Sequence, residues 1–427
     1  MSLPRILSIR LIFGGFLAGT ICIFGYQSLK YRDQRVVQKK ELNRKATVEN
    51  IAAALKASTL TAGFPTSLNV KIDGDETLVY PEYTIHTKLQ DEMLSLFKSY
   101  RPDYGAFVAM DAKTGRVLSL ISYNLNDTAI TDHLALRATF PSASVFKVVT
   151  AAAAIAEKKL HPDSIVSFSG RAHTLYKSAI FKERANRWTR TMTLKEAFAK
   201  SVNTVFGKIG VFNLGPSELK NYADKFGFNR PVRSDLPFEP GKSFATEDPW
   251  EVAETASGFT KQNRMSPLQG ALIAASIVND GIMMSPYVVD RLKDADGKVV
   301  HLGLPEPSET VIDPATAAQM RELMRETVAS GTSRVSFRGF SKSRFSFVDV
   351  GGKTGSLTGD EPKGKYDWFV GYAQAGEDRI AFATLTISRE FWKVKSAYLT
   401  RRAIETLFRE RYGLNKPNLT LTAQDHP

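Results

Sequence analysis

The chain has 427 residues, of which 43% are hydrophobic, and this is enough material for a large core. Its net charge of +13 suits a surface that works against anionic polymers or a membrane, but no compact basic motif indicates nucleic-acid binding. The single Cys excludes an intramolecular disulfide, and the six scattered His residues lack ligand spacing, so we expect neither a metal nor a cofactor.

The N-terminal segment predicts a membrane anchor. Leu11 to Tyr26 carry no charge and would form a helix of about 24 Å, somewhat shorter than a hydrocarbon core of roughly 30 Å. A cleavable signal peptide is the competing interpretation, although no small-x-small site ends the apolar run convincingly. We therefore predict that residues 1–30 form a cytoplasmic stub and a transmembrane signal anchor.

Two further regions precede and follow the main domain. Residues 31–83 predict a juxtamembrane helix and a small linker or pedestal module, which contains the strand-like runs Leu68 to Ile72 and Thr77 to Tyr80. The main domain is expected over residues 84–412. Residues 413–427 have the composition of a polar tail.

The order of elements in the main domain predicts an α+β fold. The expected elements are strands over 105–123, a helical region over 145–280, strands at Lys353 to Ser356, Trp368 to Ala373 and Ile380 to Ser388, and a helix from about Ser396 to Tyr412. Because strands from both ends of the domain flank a helical block, we expect one antiparallel sheet with helices on its faces.

Three short motifs occur in order along this domain. They are S-V-F-K at Ser144 to Lys147, S-V-N at Ser201 to Asn203, and K-T-G at Lys353 to Gly355. Each motif alone is weak, because similar sequences occur at Ser95/Lys98, Ser217/Lys220 and Lys113-Thr114-Gly115. The first of these lies in an amphipathic helical stretch, the second follows Gly-Pro as a helix N-cap, and the third predicts a hairpin turn.

The surroundings of Ser144 distinguish it from the other serines. Lys147 is the only charged residue between Arg137 and Glu157, within an apolar run of helical length, so we expect it to be buried. It projects from the same helix face as Ser144, three residues earlier. A buried lysine near a second cation loses its proton readily and can act as the base for a serine nucleophile. The competing interpretation is a lysine that snorkels to the surface.

The other two motifs predict a proton relay and a peptide-binding strand. Ser201 would pass a proton between Lys147 and a leaving amine, while Asn203 would hold an amide carbonyl of the substrate. Lys353, the second cation, would bind a terminal carboxylate together with the hydroxyl of Thr354 or Ser356.

The strand of the third motif also offers space and donors for a substrate. Gly355, with Gly351 and Gly352, leaves room for a peptide to lie alongside this strand. The backbone N–H groups of Ser144 and Ser356 are candidates for an oxyanion hole. We therefore expect the substrate to be a short peptide with a free C-terminus.

At these motifs the chain resembles the penicillin-binding proteins with a D,D-transpeptidase domain. The resemblance covers about residues 84 to 410 and includes the runs Thr193 to Ala197 and Trp368 to Tyr372. It implies the penicillin-binding/serine β-lactamase-like fold. Since only 143 residues precede Ser144, the chain most resembles the monofunctional, class B-like enzymes, with a short N-terminal region.

The resemblance also implies an activity and partners. Similar enzymes are acylated by stem peptides of peptidoglycan that end in D-Ala-D-Ala, release the terminal D-alanine, and transfer the acyl group to an amine on a second stem. It implies Ser144 as the acylated nucleophile, Lys147 as its base, Ser201 as the relay, and Asn203, Lys353, Thr354, Gly355 and Ser356 as substrate-binding residues. β-Lactams acylate such enzymes, and a membrane glycosyltransferase often works beside them.

Other functions remain open at this point. A D,D-carboxypeptidase would transfer the acyl group to water, and a β-lactam-binding receptor or scaffold would not transfer it at all. A class A β-lactamase is disfavoured, because no Glu-x-x-Leu-Asn sequence follows Asn203 to supply a deacylating glutamate.

The charges around the predicted anchor bear on its orientation. Arg5 and Arg10 precede it, but a larger group of basic residues follows it, namely Lys30, Arg32, Arg35, Lys39, Lys40, Arg44 and Lys45. The positive-inside rule would therefore leave the main domain in the cytoplasm. Large domains translocate largely regardless of charge, and the implied substrate lies outside the bacterial plasma membrane. We therefore predict a single-pass protein whose catalytic domain lies outside the cytoplasm.

Overall fold

The computed structural model describes residues 47–58, 63–126, 133–182, 187–244 and 246–414. The predicted anchor, the first part of the predicted juxtamembrane helix and nearly all of the predicted polar tail lie outside these residues. Within the described ranges, no helix combines the length and the apolar character needed to cross a membrane.

Helices surround the sheets, and two of them begin within the first and the second motif. The α-helices are α1 Val48–Ala57, α2 Thr87–Tyr100, α3 Lys147–Ala156, α4 Lys177–Phe181, α5 Leu194–Ala199, α6 Asn203–Lys208, α7 Gly215–Lys225, α8 Pro249–Ser257, α9 Pro267–Val278, α10 Pro314–Ala329 and α11 Ser396–Arg411. Short 3-10 turns occur at Ala143–Phe146 and Phe340–Lys342, and a π-helical turn occurs at Ile209–Leu214.

The strands belong to one large sheet and several smaller ones. They are β1 Leu68–Ile72, β2 Asp75–Tyr83, β3 Tyr104–Asp111, β4 Val117–Asn124, β5 Phe140–Pro141, β6 Ile165–Phe168, β7 Arg190–Thr193, β8 Arg264–Met265, β9 Ile282–Met284, β10 Val289–Lys293, β11 Val299–Leu302, β12 Pro307–Thr310, β13 Asp349–Asp360, β14 Lys363–Ala375 and β15 Asp378–Ser388.

The largest sheet has five antiparallel strands in the order β13-β14-β15-β3-β4. The early strands β3 and β4 therefore join the late strands in one sheet, as the sequence predicts. The third motif lies on β13, an edge strand of this sheet, where Lys353 is the register partner of Val370. An edge strand leaves one row of backbone N–H and C=O groups for another chain.

Helices cover both faces of this sheet, which confirms the predicted α+β arrangement. Side chains on β14 alternate between the two faces, as expected for a strand that is buried on both sides. Tyr366, Trp368 and Val370 belong to the core that includes α9. Phe369 and Ala373 belong to a second core, which includes α2 and α11.

The strands of the predicted linker module have a partner later in the chain. β1 pairs with β2, and β2 pairs with β10 in a four-stranded sheet β1-β2-β10-β11. These residues therefore share a sheet with residues from the domain that the sequence places after Thr84. The boundary between module and domain stays a prediction.

Some local elements differ from the sequence prediction. The helical block contains a two-stranded antiparallel sheet formed by β6 and β7. Ser217 does not cap α7, because this helix begins at Gly215 with Pro216 in its first turn. Ser95 and Lys98 lie in the amphipathic helix α2, and Lys113-Thr114-Gly115 occupies the turn between β3 and β4, as expected.

Candidate active site

The segment that carries Ser144 is held in an unusual backbone conformation. Ser144 lies in the 3-10 turn Ala143–Phe146, and α3 continues from Lys147. The preceding residue, Ala143, has φ of +49°, which is rare for a residue with a side chain. Such strain persists only where the surrounding structure imposes it, and it is common at functional sites.

Gly258 packs directly against this turn. Its φ is +66°, and a Cβ atom built on it would lie 1.9 Å from the carbonyl oxygen of Ala143. Only glycine satisfies both the backbone conformation and this close approach. The sequence analysis did not identify Gly258, because the residues it contacts are more than a hundred positions earlier in the chain.

Lys147 is completely buried, as predicted, and it contacts Ser144. Its Nζ atom lies 2.7 Å from Ser144 Oγ, 2.7 Å from Asn203 Oδ1 and 2.5 Å from the carbonyl oxygen of Ser257. Burial lowers the pKa of Lys147 well below its usual value, and the charge of Lys353 lowers it further.

The partners of Lys147 determine how a neutral amine would be oriented. The oxygens of Asn203 and Ser257 are hydrogen-bond acceptors, so they would take the two N–H groups of the neutral amine. The amide of Asn203 is itself oriented, because its Nδ2 donates to the carbonyl of His173 at 3.0 Å. The lone pair of Lys147 would then face the hydroxyl of Ser144, which is the arrangement that a general base needs.

The second motif lies between two helices that meet at a sharp turn. α5 ends at Ala199, α6 begins at Asn203, and Ser201 between them has φ of +55°. The backbone N–H of Asn203 donates to the carbonyl of Ala172 at 2.7 Å. This turn brings Ser201 and Asn203, both nearly buried, to the wall of the cleft.

The third motif brings a second buried amine to the second motif. The Nζ atom of Lys353 donates to Ser201 Oγ at 3.0 Å and to the carbonyl of Thr354 at 2.9 Å. Burial lowers the pKa of Lys353 to about 7. Lys353 therefore changes its charge near neutral pH.

Gly355 lets β13 approach the turn that carries Ser144. A Cβ atom on Gly355 would lie 3.1 Å from a methyl group of Val145 and 3.3 Å from the carbonyl of Ser142. The sheet also holds this region from the other side, because Trp368 Nε1 donates to the carbonyl of Pro141 at 2.9 Å. The edge strand and the 3-10 turn are thus fixed side by side.

The hydroxyl groups of the third motif have partners that the sequence analysis did not identify. Thr354 Oγ1 lies 2.5 Å from Thr332 Oγ1. Ser356 Oγ lies 3.4 Å from the carboxylate of Asp367, which also accepts a hydrogen bond from Lys395 Nζ at 3.0 Å. Only the pairing of β13 with β14 brings Ser356 opposite Asp367.

The three motifs meet at one cleft with a volume of about 600 Å³. Ser144, Ser201, Asn203, Thr354 and Ser356 line this cleft, together with Thr332 and Lys395. The amines of Lys147 and Lys353 lie behind this lining, completely buried. The arrangement supplies a serine, a base, a hydroxyl connected to a second amine, and an edge strand, which together suit acyl transfer.

Comparison with known proteins identifies the family. The family model described as the penicillin binding protein transpeptidase domain matches residues 105–403, which include all three motifs. The chain belongs to this family. The match begins in β3 and ends within α11, so it contains nearly all of the five-stranded sheet and α9 on one of its faces, while α2 lies before it.

Among curated proteins, the chain is similar to peptidoglycan D,D-transpeptidase PbpA of Mycolicibacterium smegmatis. The two are 29% identical over 317 residues, which are 66% of this chain and 62% of that protein. Stage V sporulation protein D of Bacillus subtilis is 28% identical over 331 residues, 72% of this chain and 49% of that protein. The chain thus spans less than two thirds of the length of these relatives.

Solved structures show the same fold. The D,D-transpeptidase domain of a peptidoglycan glycosyltransferase from Eggerthella lenta has a TM-score of 0.64 and 26% identity, covering 78% of this chain and 84% of that one. The imipenem acyl-enzyme complex of penicillin-binding protein A from M. tuberculosis has a TM-score of 0.62 and 25% identity. The match covers 77% of this chain and 79% of that one.

Proposed function

We propose that this chain is a peptidoglycan D,D-transpeptidase that works through an acyl-enzyme on Ser144. The observation that carries the proposal is the completely buried amine of Lys147, 2.7 Å from the hydroxyl of Ser144 at the wall of the cleft. A lysine is buried at such a cost only when its neutral form is useful or its charge is paired. Within the described part of the chain, its Nζ atom contacts oxygens of Ser144, Asn203 and Ser257, and none of these is a carboxylate.

In the acylation step, Ser144 Oγ attacks the carbonyl carbon between the last two residues of the donor stem peptide. Lys147 accepts the hydroxyl proton as the Oγ–C bond forms. The C–N bond then breaks, and the terminal D-alanine leaves with a proton on its new amine. Ser201 donates that proton from its hydroxyl, which lines the cleft and is hydrogen-bonded to Lys353, and the proton that Lys147 took from Ser144 then passes to Ser201 Oγ.

The remaining site residues bind the donor. Lys353 and Thr354 hold the terminal carboxylate, and Ser356 adds a hydroxyl further along β13. Asn203 orients Lys147 through Oδ1 and presents its amide to the substrate. Gly355 keeps β13 close enough to Ser144 for a peptide on the strand to reach the nucleophile. The backbone N–H groups of Ser144 and Ser356 stabilise the tetrahedral oxyanion.

Transfer to an amine is preferred over the two alternatives. The relatives named peptidoglycan D,D-transpeptidases favour an amine acceptor over water, and thus a transpeptidase over a D,D-carboxypeptidase. A β-lactam-binding receptor or scaffold would form the acyl-enzyme but no product. The acyl-enzyme structures of a relative support acylation by β-lactams and leave the acceptor to be tested.

Fluorescent penicillin tests the nucleophile directly. We expect the full-length protein to be labelled, and Ser144→Ala to be unlabelled because the acylated oxygen is gone. Ser95→Ala is the matched control, because Ser95 also precedes a lysine by three residues but lies in α2. Labelling that survives in Ser144→Ala would refute the assignment.

Mass spectrometry of the reaction products tests the acceptor. The full-length protein is incubated with a defined stem peptide that ends in D-Ala-D-Ala and carries an acceptor amine. Cross-linked dimers support the transpeptidase, shortened monomers would indicate the carboxypeptidase, and an acyl-enzyme without either product would indicate a receptor or scaffold.

The arrangement around the membrane is proposed from the sequence. Residues 1–30 would anchor the protein in the bacterial plasma membrane, residues 31–83 would connect the anchor to the transpeptidase domain at 84–412, and the domain would lie outside the cytoplasm beside a membrane glycosyltransferase. A reporter fused after Tyr100 should be active outside the cytoplasm. Activity only inside would refute this topology.

A further inference from the structure

A second cleft lies next to the catalytic one. Its volume is about 670 Å³, and it is formed by the end of α10, the start of β13 and the segment 330–348 between them. Val335 lines both clefts, and Thr332 and Ser336 of the same segment line the catalytic cleft. One segment of chain therefore separates the two clefts.

This second cleft is suited to an anionic ligand. Segment 330–348 contains four basic residues and no acidic residue. Two of them, Arg334 and Arg338, line the cleft, and among the residues that the structure describes no carboxylate pairs with either guanidinium. The third arginine of the lining, Arg325, is paired with Asp349 at 3.2 Å. Two guanidinium groups thus remain for a ligand, and guanidinium binds carboxylates in a bidentate fork.

The cleft is also partly apolar, and its wall is held in place. Val335 is 67% exposed and Phe347 is 44% exposed, so both offer apolar contact to a ligand. Phe337 and Phe340 are buried in the core that includes α11. Arg401 of α11 donates to the carbonyl of Arg338 at 2.9 Å, which fixes the backbone next to the free guanidinium.

Segment 330–348 is connected to both the second and the third motif. The backbone N–H of Thr332 donates to the carbonyl of Ala199 at 3.1 Å, two residues before Ser201. The hydroxyl of Thr332 contacts that of Thr354 at 2.5 Å. The segment that lines the second cleft therefore contacts the active site on the side where Lys353 and Thr354 would hold the leaving residue of the donor.

The chemistry of transfer indicates which ligand should enter from this side. Aminolysis of the acyl-enzyme is the reverse of acylation, so the attacking amine must occupy the position that the leaving amine has vacated. In the proposed mechanism that position lies beside Thr354, next to Thr332. An acceptor whose amine reaches this point could extend past Val335 into the second cleft, because Val335 lines both clefts.

We propose that the second cleft is the acceptor site, in which Arg334 and Arg338 bind a carboxylate of the acceptor stem peptide. This inference rests on the proposed function. The acceptor amine forms a bond to the carbonyl carbon of the acylated Ser144, and the bond from that carbon to Oγ breaks. The amine loses one proton, which Lys147 or Ser201 receives and returns to Oγ. The cross-linked peptide then leaves without any further reactant.

The first test measures transfer with Arg334→Gln, Arg338→Gln and the double variant, as full-length proteins. The donor concentration is fixed, the acceptor peptide is varied below saturation, and mass spectrometry compares the dimer with the hydrolysed monomer. We expect the ratio of dimer to hydrolysed monomer to fall about tenfold in the double variant, as removal of two partly exposed ion pairs would cause. Acylation by fluorescent penicillin should stay within about twofold of wild type, because neither arginine lines the catalytic cleft.

Lys342→Gln is the matched control. Lys342 belongs to the same segment and carries the same charge, but it does not line the cleft. If Lys342→Gln loses as much dimer as the double variant, the effect comes from net charge alone, and the proposed acceptor site is refuted. An unchanged ratio in the double variant, or a parallel loss of acylation, would also overturn it.

A binding experiment keeps the acceptor site testable if the proposed function fails. Fluorescence anisotropy measures the binding of a labelled stem peptide to the Ser144→Ala variant, with and without the two arginine substitutions. This measurement does not depend on turnover. We expect about tenfold weaker binding without the two arginines. Equal binding by all forms would refute the site. A wild type that forms no acyl-enzyme would refute only the proposed function.

Discussion

The Nζ atom of Lys353 lies 3.0 Å from the Oγ atom of Ser201, and this contact connects two motifs that are 152 residues apart. It places an amine whose pKa is lowered to about 7 behind the hydroxyl that would deliver the proton to the leaving group. In the proposed mechanism, Lys353 would both bind a substrate carboxylate and respond to pH.

The rate of acylation should fall as the pH rises through about 7. Lys353 is protonated below this pKa and neutral above it, so its attraction for a substrate carboxylate is lost on the alkaline side. We expect the second-order rate constant for penicillin to fall by about tenfold per pH unit there, as for the loss of one essential proton. Stopped-flow measurements of acylation between pH 6 and 9 give this rate constant.

A penicillin whose carboxylate is esterified is the control for this pH dependence. Its acylation should lack the alkaline decrease, because Lys353 has no carboxylate to bind. A decrease of the same size for both compounds would assign the titration to another group. A rate that still rises at pH 9 for the free acid would contradict the role of Lys353.

Thr332 should affect donor binding although it belongs to none of the three motifs. Thr332→Val removes the hydroxyl that contacts Thr354 at 2.5 Å, so the Thr354 hydroxyl loses its orientation. We expect acylation to slow by about two- to tenfold, which corresponds to the net free energy of one hydrogen bond. Thr332→Ser keeps a hydroxyl and should retain most of the wild-type rate. Equal rates for Val and wild type would show that this contact is dispensable.

Gly258→Ala should both destabilise the protein and slow acylation. The new Cβ atom would overlap the carbonyl of Ala143 and displace the turn that carries Ser144. Gly74→Ala is the control, because Gly74 also has a positive φ but no atom lies within 4 Å of its Cβ position. Gly74→Ala should cost only about 1–2 kcal/mol of unfolding free energy and leave acylation unchanged. Thermal unfolding and penicillin labelling distinguish the two variants.

Asp235 should make the stability of the protein depend on pH. Asp235 is buried, and burial raises the pKa of its carboxyl from 3.8 to about 7, although the N–H groups of Val288 and Val289 oppose this shift. The folded protein therefore keeps a proton that the unfolded chain releases above pH 3.8. This contribution to the free energy of unfolding is complete below pH 3.8 and is lost as the pH rises through about 7.

The measurement compares melting temperatures at pH 5 and pH 8. The wild type should lose stability relative to Asp235→Asn between these two values, because the amide does not titrate. Asp313→Asn is the control, because hydrogen bonds from Thr316 lower the pKa of the Asp313 carboxyl and move its titration to more acidic pH. A constant difference between wild type and Asp235→Asn would mean that Asp235 does not titrate in this range.

Much of the candidate site could be predicted because its chemistry is local in sequence. Lys147 follows Ser144 by one helical turn within an apolar run, so its burial and its contact with Ser144 both follow from the sequence. Gly355 next to Lys353 similarly indicates a strand that another chain approaches closely. The similar motifs at Ser95 and Lys113 could be set aside because their neighbours predict an amphipathic helix and a turn.

Other contributions could not be predicted because they come from backbone atoms or from distant residues. The carbonyl of Ser257 binds Lys147 from the end of α8, and any residue type would supply the same oxygen. Thr332 lies in a segment rich in serine and arginine, which has no periodic pattern. The helical region was predicted to begin at residue 145, but the α-helix begins two residues later at Lys147, after a 3-10 turn.

The sequence by itself determined the candidate reactive groups, because the identity and the local spacing of Ser144, Lys147 and the K-T-G strand indicate a serine that a buried lysine could activate. The tertiary structure decided how these groups meet. It brings Lys353 to Ser201, orients the amine of Lys147 through Asn203 and Ser257, and places the arginine-lined cleft next to the catalytic cleft. These contacts depend on packing between elements far apart in the chain, and such packing leaves no periodic signal in the sequence.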